Sequence, residues 1–309
     1  MTVIKFGFVI PADNLVKSRR STYVTDLNRA LDIVSGHFDS AWIIDHLQFG
    51  DTDLLESFTT LSFMAALHPQ LNFGHTVLCQ SFRNPALLAK MGATLQFLTN
   101  GRFLLGIGAG WHEEEYLAYG YKFPPAKERV EQLDEALQII RAMWTEPNAS
   151  FRGKHYRINQ AYCEPKPEPL PAIMVGAYRP KMLRLTARYA DEWNVSSTGL
   201  SRHQRLASEF EKACQEVGRD PATVRRSWGG GCSCAPTQAE AERFAGERYS
   251  ANNLEDDFGF VGTSIQVIQQ MRSFIDLGIT SFMVDCGGFP NLTTLEMLVT
   301  QVLPALKFG

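Results

Sequence analysis

The sequence has no CxxC pair. Its six cysteines (Cys79, Cys163, Cys214, Cys232, Cys234 and Cys286) are scattered. The CxC spacing of Cys232 and Cys234 alone is a weak metal or redox signal. The usage fits thiols kept reduced in the cytoplasm and buried as small hydrophobes. No run approaches the roughly 18 consecutive apolar residues of a membrane-spanning helix. The opening stretch MTVIKFGFVIPADN is not expected to be a signal peptide. Its apolar run is short, interrupted by Lys5 and Gly7, and followed by Pro11. Charge of one sign is also lacking: Lys and Arg total 30 against 33 Asp and Glu, for a net charge of -3. With no basic block, neither a nucleic acid nor a membrane surface is an expected partner. HEEEY at 112–116 is not HExxH, and Asp45-His46 has no partner at ligand spacing, so no metal site is expected. No GxSxG is present, which leaves an acyl-transfer triad without support. Internal repeats and low-complexity tracts are absent too.

What is there is one rhythm. The chain has 309 residues, 45% of them hydrophobic, enough for a sizeable core. Apolar, β-branched runs at 3–10, 39–45, 71–78, 102–108, 171–177, 191–197, 223–231 and 280–285 predict strands. Amphipathic segments at 21–36, 54–67, 84–101, 111–145 (broken at Pro124-Pro125), 179–190, 202–218 and 293–307 predict helices, with further helices after 231. Asn84 as N-cap, Pro85 at the first helical position and Asn100-Gly101 as terminator bound one of them. Eight β-then-α units predict an α/β fold: a (β/α)8 TIM barrel with insertions at the C-terminal face, forming a single domain over 1–309. A doubly wound sheet is the alternative. Residues 146–169 predict a small hairpin insertion, and the poorly periodic stretch 232–262 a lid.

Two loops suggest a ligand. In GRFLLGIGAGWHEEE, glycines at 106, 108 and 110 follow a strand. The spacing is not the dinucleotide-binding GxGxxG. The helix that follows opens with Glu113, Glu114 and Glu115, which already compensate its dipole and would repel a phosphate. This loop is expected to approach something flat and neutral, unless the glycines only ease packing. In MVGAYRPKMLR, a strand runs into Gly176 and a helix opens amid Arg179, Lys181 and Arg184. Cations at a helix N-terminus favour an anion, although a solvated basic face reads the same way. Together the loops suggest a mononucleotide-type cofactor across the barrel mouth. At the end of the second strand stand Asp45 and His46, where barrel chemistry sits. An imidazole there suits acid–base work, or is a satisfied structural residue.

The stretches FDSAWIIDH, LNFGHTVLCQSFRNPALLAKMGATLQFLTNGRFLLGIGAGW, YGYKFPPAKERVEQLDEAL, IMVGAYRPKMLRLTARYADEWN and FVGTSIQVIQQMRSFIDLGI resemble the bacterial luciferase-like monooxygenase superfamily. The likeness is to its branch dependent on FMN or the deazaflavin F420, and it covers nearly the whole chain. The resemblance implies that Asp45 contacts the edge of the cofactor ring and His46 is the catalytic acid/base. It also implies that Thr76 and Val77, joined by a non-prolyl cis peptide, bulge behind the ring with Cys79 close by. Ala109 and Gly110 then face the ring, and Gly176, Ala177 and Arg179 hold the phosphate. The family's F420-dependent sugar-phosphate dehydrogenases carry Glu after the glycines. Trp111 stands there in this chain, so proton transfer from that position is lost and either a ring-stacking or apolar wall or a plain packing residue is expected.

The implied activity is a flavin- or deazaflavin-dependent oxidoreductase acting on a small organic substrate. Either hydride transfer with F420, or oxygen insertion with reduced FMN from a separate flavin reductase, fits. A non-catalytic flavin-binding protein is the alternative. Leu61, Phe63, Met64, Ala65, Leu87, Leu88, Met91, Leu95 and Leu98 spread over more than one face of two helices. These helices are expected to form a homodimer, as the family also implies.

Overall fold

A computed structural model describes residues 3–12, 19–248 and 259–307. The strands are β1 Lys5–Val9, β2 Ser40–Ile43, β3 Asn72–His75, β4 Leu78–Cys79, β5 Phe103–Gly108, β6 Ala149–Arg152, β7 Arg157–Ala161, β8 Ile173–Gly176, β9 Glu192–Ser196, β10 Arg225–Cys234, β11 Gly259–Gly262 and β12 Ser281–Cys286. Parallel pairing runs β12–β1–β2–β3–β5–β8–β9–β10, and β10 pairs with β12 to close the ring. This is the expected eight-stranded TIM barrel. The lumen is filled by Val9, Trp42, Met174 and Met283. Gly7 and Gly74 leave room for the Trp42 indole, since a Cβ on either would lie within 2.6 Å of it.

The helices around the ring are α1 Tyr23–Val34, α2 Ser57–Leu67, α3 Pro85–Leu98, α4 Glu113–Ala118, α5 Ala126–Thr145, α6 Pro180–Tyr189, α7 Leu200–Glu216, α8 Gln238–Arg248, α9 Ser264–Ile275, α10 Thr293–Met297 and α11 Leu303–Lys307. The predicted caps of α3 form: the Asn84 side chain accepts from the N–H groups of Ala86 and Leu87. Asn100 and Gly101 adopt φ of 53° and 87°, and this left-handed turn stops the helix. Helix α2 starts later than its apolar run. Glu56 caps it, accepting from Phe58 N–H at 3.2 Å and Thr59 N–H at 2.7 Å, so residues 54–56 lie outside the helix.

The expected hairpin is present as the antiparallel pair β6–β7. It leaves from the end of α5 and folds back along that helix, so its turn returns to Glu131 and Glu135 near the α5 start. The expected lid is regular at both ends. Strand β10 continues to Cys234, α8 follows, and β11 pairs with β10 from Gly231–Gly259 to Cys234–Gly262. The centre of that segment, 249–258, lies outside the described residues.

Candidate active site

At the C-terminal ends of the strands lies a cavity of about 980 Å³. One wall is backbone. The Thr76–Val77 peptide bond is cis, and the third strand is interrupted there. It ends as β3 at His75 and resumes as β4, which pairs with β5 through Leu78–Ile107 and Cys79–Gly108. The displaced segment explains the alternating glycines. A Cβ at Gly106 would lie 1.8 Å from the His75 carbonyl oxygen, and one at Gly108 2.8 Å from Val77 Cγ2. Gly110, with φ 78°, would meet the Tyr116 hydroxyl at 1.9 Å and Cys79 Sγ at 2.7 Å. These three glycines approach the protein's own third strand and α4. Gly176 differs, because its Cβ would meet only Val77, at 3.5 Å. Packing does not require that glycine, and the missing side chain leaves room in the cavity.

Asp45 borders the cavity but is engaged from behind. Its Oδ1 accepts from Ser57 Oγ at 2.5 Å and Arg83 Nη2 at 2.9 Å. Its Oδ2 accepts from Arg83 Nη1 at 2.7 Å and Cys79 N–H at 2.9 Å. Burial alone would raise this carboxyl, but the Arg83 hydrogen bonds and charge outweigh it and hold it below the usual carboxylate value. Arg83 also binds Glu56 Oε1 at 2.7 Å. The group joins the ends of β2 and β4 to the start of α2.

His46, the next residue, has its Nδ1 2.9 Å from Glu115 Oε1, while Glu115 Oε2 accepts from Leu47 N–H at 2.7 Å. Glu115 is only 2% exposed. It therefore does not share the role of Glu113 and Glu114, which stay on the surface. The His46 ring lies between Phe49, at 4.5 Å, and Trp111, at 5.5 Å between centroids. Trp111 is 66% exposed. Cys79 Sγ sits 2.8 Å from the Tyr116 hydroxyl. Burial pushes its thiol up to about 11, so it stays protonated and unreactive.

The opposite end of the cavity is cationic. It is bordered by Arg179, Lys181 and Arg184 at the start of α6 and by Lys127 of α5, whereas Arg129 lines the cavity from the β5 side, its Nε donating to Gly110 O at 3.3 Å. No side chain caps α6, and Pro180 opens it, so its first N–H groups are free to bind an anion. Tyr178 is fixed by Ser196, donating to its carbonyl at 2.8 Å and accepting from its N–H at 2.6 Å.

Among the expected residues, Asp45, His46, Thr76, Val77, Cys79, Ala109, Gly110, Trp111, Gly176 and Arg179 line this one cavity. Ala177 does not. It is buried behind the wall, its N–H on Asn194 O and its carbonyl on the Trp193 indole. Arg83, Glu115, Tyr116 and Arg129 are the residues that sequence reading missed. No signal in the sequence separates Glu115 from Glu113 and Glu114: Tyr116 beside it is buried, yet Leu117 on the other side of Tyr116 is exposed. A flat backbone wall, a glycine with no packing role and a cationic far end fit a planar ring carrying a phosphate.

Comparison with known proteins identifies relatives over nearly the whole chain. An F420-dependent glucose-6-phosphate dehydrogenase of Intrasporangium calvum is 29% identical over 310 aligned positions, covering 87% of this chain and 91% of the relative. A phthiodiolone/phenolphthiodiolone dimycocerosates ketoreductase of Mycobacterium tuberculosis is 32% identical, covering 98% of this chain and 97% of the relative. A solved F420-dependent secondary alcohol dehydrogenase, bound to an F420–acetone adduct, superposes with a TM-score of 0.85 at 18% identity. It covers 98% of this chain and 99% of its own. Residues 4–255 match the sequence model of the luciferase-like monooxygenases, and the chain belongs to that family.

Proposed function

We propose that the protein is an oxidoreductase that binds F420 or FMN across the barrel mouth and interconverts a carbonyl and an alcohol on a small organic substrate. The bound ring would supply or accept the hydride. Gly176 and the wall at Thr76–Leu78 would hold its flat body, and Arg179 with the free N–H groups of α6 its phosphate. Ala109 and Gly110 border the same face. Asp45, tied to Arg83, acts through position: it fixes the chain at His46 and Cys79.

The observation that carries the reading is the His46–Glu115 pair at the cavity edge. With Nδ1–H donated to Glu115, the other ring nitrogen is left for the substrate. In the reducing direction His46 gives the proton that the substrate oxygen needs once carbon has received hydride. In the oxidising direction it takes that proton from the hydroxyl. Glu115 fixes the orientation of the ring in either case. Phe49 and Trp111 present an aromatic wall beside His46 and supply no second acid, which favours an apolar substrate over a sugar phosphate. Of the three relatives named above, two are by their names a ketoreductase and a secondary alcohol dehydrogenase, and the third is a glucose-6-phosphate dehydrogenase. Oxygen insertion with reduced FMN, which would need a separate flavin reductase, is the competing reaction within the family.

Titration with F420 and with FMN, each oxidised and reduced, combined with His46→Ala, tests this reading. The variant should keep cofactor affinity and lose roughly 10² to 10⁴ in turnover. Full turnover without the imidazole would remove the role. Binding without turnover in the parent would return the non-catalytic alternative. We also propose a homodimer through α2 and α3, and a cytoplasmic location. No helix among the described residues is long and apolar enough to cross a membrane.

A further inference from the structure

Four rings meet at the mouth of the cavity. His46 lies 4.5 Å from Phe49 and 5.5 Å from Trp111 between centroids. His112 lies 5.4 Å from Phe49 and 5.0 Å from Trp111. The two imidazoles are 6.1 Å apart. Among the described residues no ring contact joins Phe49 to Trp111, so the imidazoles stand between them. Trp111 is thus held on one side and borders the cavity.

The other tryptophans show how unusual that position is. The chain has five. Trp42, Trp144, Trp193 and Trp228 are at most 3% exposed, and Trp111 is 66% exposed. Each buried indole N–H donates to the protein: Trp42 to Ser40 Oγ at 2.7 Å, Trp144 to Ala89 O at 2.9 Å, Trp193 to Ala177 O at 3.0 Å and Trp228 to Thr198 O at 3.0 Å. The Trp111 N–H donates to nothing among the described residues. Core packing therefore does not account for Trp111.

The ring is nonetheless presented on fixed backbone. The Gly110 carbonyl before it accepts from Arg129 Nε at 3.3 Å. Helix α4 opens just after it, and Glu115 ties that helix to His46 and to Leu47 N–H. A flat side chain with two rotatable bonds, steadied by two imidazoles, loses little entropy when a second ring covers it. His46 is its direct neighbour, so a group stacked there lies next to the reacting carbon.

We propose that Trp111 is a specificity-determining residue whose free face takes an aryl group bonded to the carbonyl or carbinol carbon. The substrate class is then aryl ketones and the matching secondary alcohols. The inference rests on the carbonyl–alcohol reading proposed above and narrows it, because an apolar wall alone would accept an alkyl ring equally well.

The test is kinetic and uses the enzyme loaded with reduced cofactor, F420 and FMN in separate runs. It compares acetophenone with cyclohexyl methyl ketone, which has the same carbon skeleton with a puckered ring. The two ketones differ in intrinsic reactivity. The quantity read is therefore the aryl-to-cyclohexyl ratio of kcat/KM in each variant relative to the parent, in which that difference cancels. Trp111→Leu keeps an apolar side chain and removes the flat face. It should lower the ratio by roughly 2- to 12-fold, the contribution of one aromatic pair. Trp111→Phe should keep most of the ratio. The side chain is exposed, so neither substitution removes a core contact. An unchanged ratio in Trp111→Leu would overturn the stacking role and leave the apolar wall standing. A fall in Trp111→Phe as large as in Trp111→Leu would also overturn it, since any flat ring should serve. Turnover of neither ketone by the parent with either cofactor would overturn the carbonyl–alcohol reading as well.

Discussion

Gly106 and Gly176 look alike in the sequence, each a glycine in the last half of a barrel strand. They are under different constraints. At Gly106 a methyl group would stand 1.8 Å from a backbone oxygen, and backbone cannot move aside cheaply. Gly106→Ala should therefore cost about 3 kcal/mol or more, at the upper end of overpacking, visible as a lowered urea midpoint. At Gly176 the methyl would find ordinary contact with Val77 and would project into the cavity. Gly176→Ala should leave the midpoint within about 0.5 kcal/mol of the parent and weaken cofactor binding by roughly tenfold. If the two variants behave alike, the division between packing glycines and site glycines is wrong.

Helices α2 and α3 carry two apolar faces. Leu61, Met64, Ala65, Leu88 and Leu95 turn inward and are buried, while Phe63, Leu67, Leu87, Phe97 and Leu98 stay exposed. Met91 is half-buried between them. Large exposed side chains on both helices are candidates for an interaction surface, and a second copy of the chain is the proposed occupant. Sedimentation should show a dimer at micromolar concentration. Phe97→Glu with Leu98→Glu should shift it to monomer with helix content intact. A parent that sediments as a monomer would end the proposal.

Acid sensitivity belongs to the whole molecule. His75 lies among Phe58 and Phe103, and His203 between Trp193 and Phe274. Neither ring has a hydrogen-bond partner. Burial lowers His75 to about 3, against the pull of Asp45, and His203 to about 4, aided by Arg226. Below an unfolded value near 6.5 the unfolded chain takes up both protons and the folded chain takes up neither. Stability should fall by about 1.4 kcal/mol per pH unit for each histidine. The loss starts below pH 6.5 and ends near pH 4 for His203 and pH 3 for His75. By pH 5 it should reach roughly 4 kcal/mol. Urea midpoints at pH 7 and pH 5 measure it, and His75→Phe should reduce the slope. Equal midpoints would mean that these rings are hydrated or protonated in the fold.

Local chemistry alone carries much of this protein. The alternation of eight strand and helix patterns, the Asn84-Pro85 start and the Asn100-Gly101 stop of α3 are short-range facts. They follow from periodicity and backbone preference, and so they are legible in residues 84–101 without the rest of the chain. So is the placement of His46 at a strand end and of Arg179 at a helix start. Glu115 is the opposite case. Beside Glu113 and Glu114 it reads as one more surface acid, and only the approach of β2 to α4 buries it against His46, 69 positions earlier. Asp45 reads as free to touch a ligand until Arg83, from beyond β4, takes both its oxygens. The glycines of β5 give no hint that their neighbour is the displaced strand at 75–79. Pairings of this kind cost loop closure over dozens of residues and depend on charge and volume brought from elsewhere. Tertiary structure therefore decided which acid serves the histidine, which serves the backbone, and which glycine leaves space for a ligand.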